Sequence, residues 1–216
     1  MPLLSSDDPI GNPAFGLGAD QVATVVDLIC RGAEEARPHI EAKMLEVPIT
    51  MVVRKAVRRV KVALGLTNLE IRGEHELEDM STMGPEILGR IDITMKFTHQ
   101  FGFEDAYVPV ECKRVAAGDS TLNANYVVKG VQRYVAGQYG SGLEWGFMLG
   151  YVLKPPVNDV VEAIDASICH HYGTPAKLAT CEGHPLALAL LEGTVLQNGA
   201  HPLRLKHVFV EMSAAA

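Results

Sequence analysis

Two short stretches constrain this chain more than any other feature: GRIDITMKF, Gly89 to Phe97, and YVPVECKRV, Tyr107 to Val115. Both alternate with the period of a β-strand, and the QFGFED between them reads as a hairpin connection. In YVPVECKRV, Val108, Val110 and Cys112 share one face. Glu111 and Lys113 share the other, about 7 Å apart along the chain. In GRIDITMKF, Ile91, Ile93 and Met95 share a face and leave Arg90, Asp92 and Thr94 opposite. An antiparallel hairpin centred on Gly102–Glu104 makes facing residue numbers sum to about 203–207. Asp92 then faces Glu111 or Lys113, so two carboxylates and a lysine converge on one patch of sheet.

The rest of the chain supplies helices for such a sheet. Residues 1–18, rich in Pro, Gly, Ser and Asp, read as a flexible arm, and 19–216 as a single domain. From Ala19 to Leu66 the pattern is helical, with a break near Pro38 or Pro48. In MVVRKAVRRVKVAL, Val53, Val57, Val60 and Leu64 recur at helical spacing beside a basic stripe of Arg54, Lys55, Arg58, Arg59 and Lys61. Gly65 is placed as the C-cap. A strand over Leu69–Leu77 precedes ILGRIDITMKFTH. NANYVVKGVQRYVAGQYG follows as a helix ending near Gly137 or Gly140, then GLEWGFMLGYVL as a strand and PPVNDVVEAIDASICHHYG as a Pro-started helix. A looser region leads to a final strand, LRLKHVFVEM. The order predicts an α/β protein with a central mixed sheet flanked by helices.

Composition excludes some classes. With 216 residues and a formal net charge of −7, the chain is not coated in basic residues for non-specific nucleic-acid binding, although a local stripe exists. The opening MPLLSSDDPIGNPAFG lacks the basic-then-apolar pattern of a signal peptide, and no apolar run approaches membrane-span length. Four cysteines without framework spacing (Cys30, Cys112, Cys169, Cys181) fit a reducing, cytoplasmic setting.

Two hard carboxylates suit Mg²⁺ or Mn²⁺, and a lysine ammonium suits an attacking water or a charged phosphate. Asp92 followed on the next strand by Glu111-Cys112-Lys113 resembles the PD-(D/E)xK nuclease motif of the restriction-endonuclease-like fold, with Ile91 in place of the proline. Glu46 in LEVPITMVV is similar to the glutamate that a preceding helix brings to this site. Tyr126–Tyr139, with Gln132, Arg133 and Tyr134, resembles the family's flanking helix, and the likeness runs from Glu46 to Lys154. It implies a restriction-endonuclease-like core with Asp92 and Glu111 as metal ligands, Lys113 as the catalytic cation and Glu46 as a supporting acid. The implied activity is a Mg²⁺- or Mn²⁺-dependent endonuclease acting on DNA rather than RNA, as a homodimer or higher homo-oligomer, in restriction or anti-phage defence. An activating ligand or partner protein is compatible with it. Arg54, Arg58 and Lys61, with Lys129, Gln132 and Arg133 from the other side, become a substrate path. The alternative is a catalytically silent nuclease-fold module that binds a partner protein or nucleic acid.

Blander readings compete. A lone E-x-K occurs about once by chance in a chain this long, and a cross-strand ion pair on a wet sheet face contributes only tenths of a kcal/mol. A charged solvent face also accounts for the basic stripe. Cys181-x-x-His184 has zinc-ligand spacing, but adjacent histidines such as His170 and His171 at a helix end rarely both ligate one ion. GQYGSG follows a helix and precedes a strand, which is the order of a turn and not of a phosphate loop.

Overall fold

The break between the first two helices falls at Pro38. Helix α1 spans Ala19–Ala36, a 3₁₀ turn follows over Arg37–His39, and α2 spans Glu46–Ala63. Pro48 lies in the first turn of α2, where a missing N–H costs nothing. The two helices cross at Gly32, whose missing side chain lets α1 meet the backbone of Val57; a Cβ there would lie 2.9 Å from Val57 N and Cα. This is a computed structural model, and it describes residues 16–41, 43–73, 75–78, 87–103, 106–139 and 142–213. Of the expected arm, residues 1–15 lie outside the described residues, whereas Leu17 packs into the core.

The strands are β1 (Leu69–Arg72), β2 (His75–Glu78), β3 (Ile87–Ile91), β4 (Ile93–Phe97), β5 (Val108–Ala116), β6 (Trp145–Lys154), β7 (Ala179–Thr180), β8 (Ala189–Gln197) and β9 (His201–Glu211). Seven form one mixed sheet in the order β1-β4-β5-β6-β9-β8-β7. Strands β5, β6 and β9 run parallel at its centre, with antiparallel partners outside. Strands β2 and β3 form a separate two-stranded ribbon.

Helices cover both faces of the large sheet. On one, Val25, Leu28, Ile29, Ile49, Val53 and Val57 of α1 and α2 share a core with Ile93, Met95, Val110, Cys112 and Leu149. On the other lies a helix that runs as α3 (Ser120–Tyr126), a π turn (Val127–Val131) and α4 (Gln132–Val135), together with α5 (Val157–Tyr172). Their Val127, Val131, Val160 and Ile164 pack with Val115, Met148 and Phe209. The fold is α/β, with helices on both sides of a mixed sheet.

Three expectations need correction. The strand expected over Leu69–Leu77 is two strands, β1 and β2, parted at Gly73. The stretch ILGRIDITMKFTH is also broken: the chain bends at Asp92, so β3 leaves with the ribbon while β4 joins the main sheet. Ile91 therefore packs in the second core with Tyr126 and Val131, opposite Ile93 and Met95 and not beside them. Finally, the looser region before the last strand contains β8, nine residues hydrogen-bonded along β9. Its alternation (Leu191, Gly193, Val195 and Gln197 inward) was legible, but Gly193 and the exposed Leu196 blur it.

Candidate active site

Strand β5 outruns its neighbour. Ile93 faces Val110, Thr94 faces Pro109 and Met95 faces Val108, the low end of the expected register, so the next position sets Asp92 beside Glu111. Beyond that point β4 has ended, and the edge N–H groups of β5 need other acceptors, because a buried unpaired N–H is costly. Asp92 Oδ2 accepts Cys112 N at 2.7 Å. Two residues on, Arg114 N donates to Glu46 Oε2 at 3.3 Å. An open strand edge thus gathers two carboxylates, one from the bend and one from the first residue of α2.

The other side of the cluster comes from β5 itself. Lys113 Nζ lies 2.6 Å from Glu111 Oε1 and 2.8 Å from Glu46 Oε1, and donates to Cys112 O at 3.0 Å. Glu111 is 0 % exposed and Lys113 6 %. The four residues expected to act together, Glu46, Asp92, Glu111 and Lys113, are therefore in one cluster. The helix on that face comes close because position 130 is glycine: a Cβ there would sit 3.3 Å from Lys113 Cγ and 2.6 Å from Met148 Cε.

Arg133 in the last turn of this helix and Tyr139 in the turn that follows it complete the site. Arg133 Nη1 is 3.1 Å from Glu111 Oε1 and donates to Arg90 O at 3.0 Å and to the Tyr139 hydroxyl at 3.1 Å. The Tyr139 hydroxyl in turn donates to Glu111 Oε2. Tyr139 was not anticipated; its position in the sequence marks a helix end and nothing shows that this end passes over Glu111. Tyr134, by contrast, is structural, bonding Pro109 O and Phe147 O.

The remaining candidates for a substrate path divide. Arg54 stands at the site, its Nη1 3.5 Å from Asp92 O. Arg58 is turned to β1, donating to Ile71 O at 3.1 Å. Lys61 is in the last turn of α2, about 22 Å along the axis from Glu46. Lys129 is exposed, and Gln132 accepts from Tyr172 OH at 3.0 Å, away from the acids.

Burial and the neighbouring Glu111 raise Asp92 from its ordinary 3.8 to about 7, against the opposing pull of Lys113 and the Cys112 N–H. Burial opposes charge on Lys113 too, but Glu111, Asp92 and Glu46 outweigh it and hold the amine protonated. Such a group of acids has more negative charge than its surroundings comfortably hold. Glu111 Oε1 is buried between two cations, Lys113 and Arg133. Hard carboxylate oxygens in this state suit a divalent cation, and Asp92 and Glu111 are the residues that would hold one. No group of three or more His, Cys, Asp or Glu side chains arranged to hold a metal occurs among the described residues.

The histidine and cysteine candidates have other partners. His184 Nε2 lies 3.2 Å from Asp27, and Cys181 Sγ accepts from Lys206 Nζ at 3.2 Å. Both line a 520 Å³ cavity between α1 and the sheet. The cations there, Arg204 and Lys206, are both committed to Glu192.

The fold and site together define an α/β protein whose mixed sheet carries, at one strand edge, a cluster of acids around one buried lysine. No protein family, curated protein or solved structure matches the chain. Among the described residues, no helix is long and apolar enough to cross a membrane.

Proposed function

We propose that this protein is a metal-dependent phosphodiesterase, a DNA endonuclease of the PD-(D/E)xK type built on a restriction-endonuclease-like core. The observation that carries this reading is the β5 edge, where Glu111 and Glu46 meet Lys113 at 2.6 and 2.8 Å and Asp92 accepts the adjoining Cys112 N–H. A wet cross-strand ion pair accounts poorly for it, since Glu111 is wholly buried.

Asp92 and Glu111 would hold Mg²⁺ or Mn²⁺, which when bound supplies an activated water and charge neutralisation at the phosphate. Lys113, kept cationic by three acids, orients the attacking water and stabilises negative charge as it grows on the phosphate. Glu46 fixes the Lys113 ammonium from the solvent side, its own side chain 32 % exposed. Arg54 lies where a phosphate approaching Asp92 would pass. A double-strand break needs two such sites, hence a homodimer or larger assembly. Restriction or anti-phage defence in the cytoplasm is the setting the resemblance implies.

The test is supercoiled plasmid with Mg²⁺ or Mn²⁺, beside Lys113→Ala and a chelator control. Nicking or linearisation that needs metal and Lys113 supports the reading; cleavage by Lys113→Ala at the wild-type rate overturns it. The burial of Glu111 favours one rival, the catalytically silent module. Mn²⁺ titration by calorimetry separates the two when no cleavage is seen. A site lost in Asp92→Ala points to an enzyme awaiting an activator, and no site points to the module.

A further inference from the structure

Glu111 is fully buried, and two cations neutralise it. They are not equivalent. Lys113 is 7 % exposed at its side chain and is fixed three ways, to Glu111, Glu46 and Cys112 O. The Arg133 side chain is 34 % exposed, and among the described residues all its hydrogen bonds run through one nitrogen, Nη1. Lys113 is enclosed, whereas Arg133 is partly open to solvent and its hydrogen bonds among the described residues are made at a single atom.

We infer that Arg133 is the built-in counter-ion of Glu111, standing in the metal-free protein where the charge of a divalent cation would otherwise act, so that metal loading displaces its guanidinium. This rests on the reading of Asp92 and Glu111 as metal ligands. The reason is electrostatic. A buried carboxylate without a counter-charge is heavily penalised, so with no metal bound Glu111 needs a cation from the protein itself. The same cation then repels an incoming metal at short range in a weakly screening environment. Arg133 thus stabilises the metal-free fold and weakens metal binding, both through Glu111. It acts as a positioning residue and not as a ligand.

Calorimetric titration with Mn²⁺ of the full chain tests this. Arg133→Gln should bind about tenfold more tightly or better, the scale of one like charge removed from a partly buried site. Arg133→Lys, which restores the charge, should return affinity towards wild type. A readout on the unaltered protein accompanies these: in an NMR titration with diamagnetic Mg²⁺, the Arg133 Nε–Hε signal should move to the position of a free guanidinium. Binding by wild type that is lost in Asp92→Ala, with Arg133→Gln no tighter, overturns the counter-ion role and leaves the metal site standing. Equal tightening by Gln and Lys also overturns it, as does an Arg133 signal that ignores saturating Mg²⁺. No Mn²⁺ binding by wild type or Arg133→Gln sinks both the role and the metal reading.

Discussion

The Asp92 carboxylate accepts the backbone N–H of Cys112 at 2.7 Å, taking the place in the β5 ladder that another residue of β4 would have filled. A side chain acting as the end of a strand is thereby held rigidly, and it is held next to Glu111. The shape of the acid cluster depends on that substitution of carboxylate for backbone.

Asp92 makes the metal-free fold sensitive to pH in a defined direction. Its folded value of about 7 lies above its ordinary 3.8, so between these limits the folded chain keeps a proton that the unfolded chain has released. Raising the pH from about 4 to about 7 therefore favours unfolding through this group, and below 4 it contributes no difference. Asp92→Asn, which can still accept from Cys112 N, should be no more stable than wild type at pH 4 and clearly more stable at pH 8. Urea melts with chelator present check this; a gain that is the same at both pH values would refute the assignment.

Glu46→Gln should leave the fold intact, because an amide oxygen can still accept from Arg114 N. It withdraws one of the three negative charges around Lys113. Plasmid cleavage should fall by about 10- to 100-fold, the usual consequence of removing a group that orients the acting residue. Single-turnover rates at saturating metal measure it.

On the basic stripe, only Arg54 is adjacent to the acids. Arg54→Ala should weaken DNA binding for all sequences alike and lower the slope of log affinity against log salt by about one. Lys61→Ala should change it less, being about 22 Å along the helix from Glu46. Fluorescence anisotropy across a salt series, with Ca²⁺ in place of Mg²⁺, compares the two.

Gly32→Ala tests the helix layer independently of the site. Its Cβ would come within 2.9 Å of the Val57 backbone, which cannot rotate away, and α1 would have to lift from α2. A loss of about 1–3 kcal/mol is expected, as for other overpacked core positions. Denaturant melts at one pH read it directly, and an unchanged midpoint would mean that the helices do not cross here.

How far the chain could be read from its residues depends on the range of the forces involved. The alternation of YVPVECKRV set Glu111 and Lys113 on one face and Val110 and Cys112 on the other, because the two-residue period of a strand is a local property. The helices around Val53 and Val57 and around Val160 and Ile164 were equally local, and Gly65 does follow the end of α2. The register of β4 on β5 was legible to within two steps, since the connection between them is short.

What the residues alone did not contain was where pairing stops. Nothing in GRIDITMKF distinguishes a continuous strand from one that bends at Asp92, because that choice is made by the ribbon of β2 and β3 drawing Ile91 to the opposite core. The arrival of Glu46 at Arg114 N, and of Arg133 and Tyr139 at Glu111, likewise depends on how helices dock across the sheet. Side-chain alternation is written in neighbouring residues; the ends of strands and the seats of helices are set by contacts between segments far apart in the chain. Neighbouring residues dictate that Glu111 and Lys113 share a face; only the docking of distant segments buries them, joins Lys113 to Glu46 and sets Arg133 against Glu111.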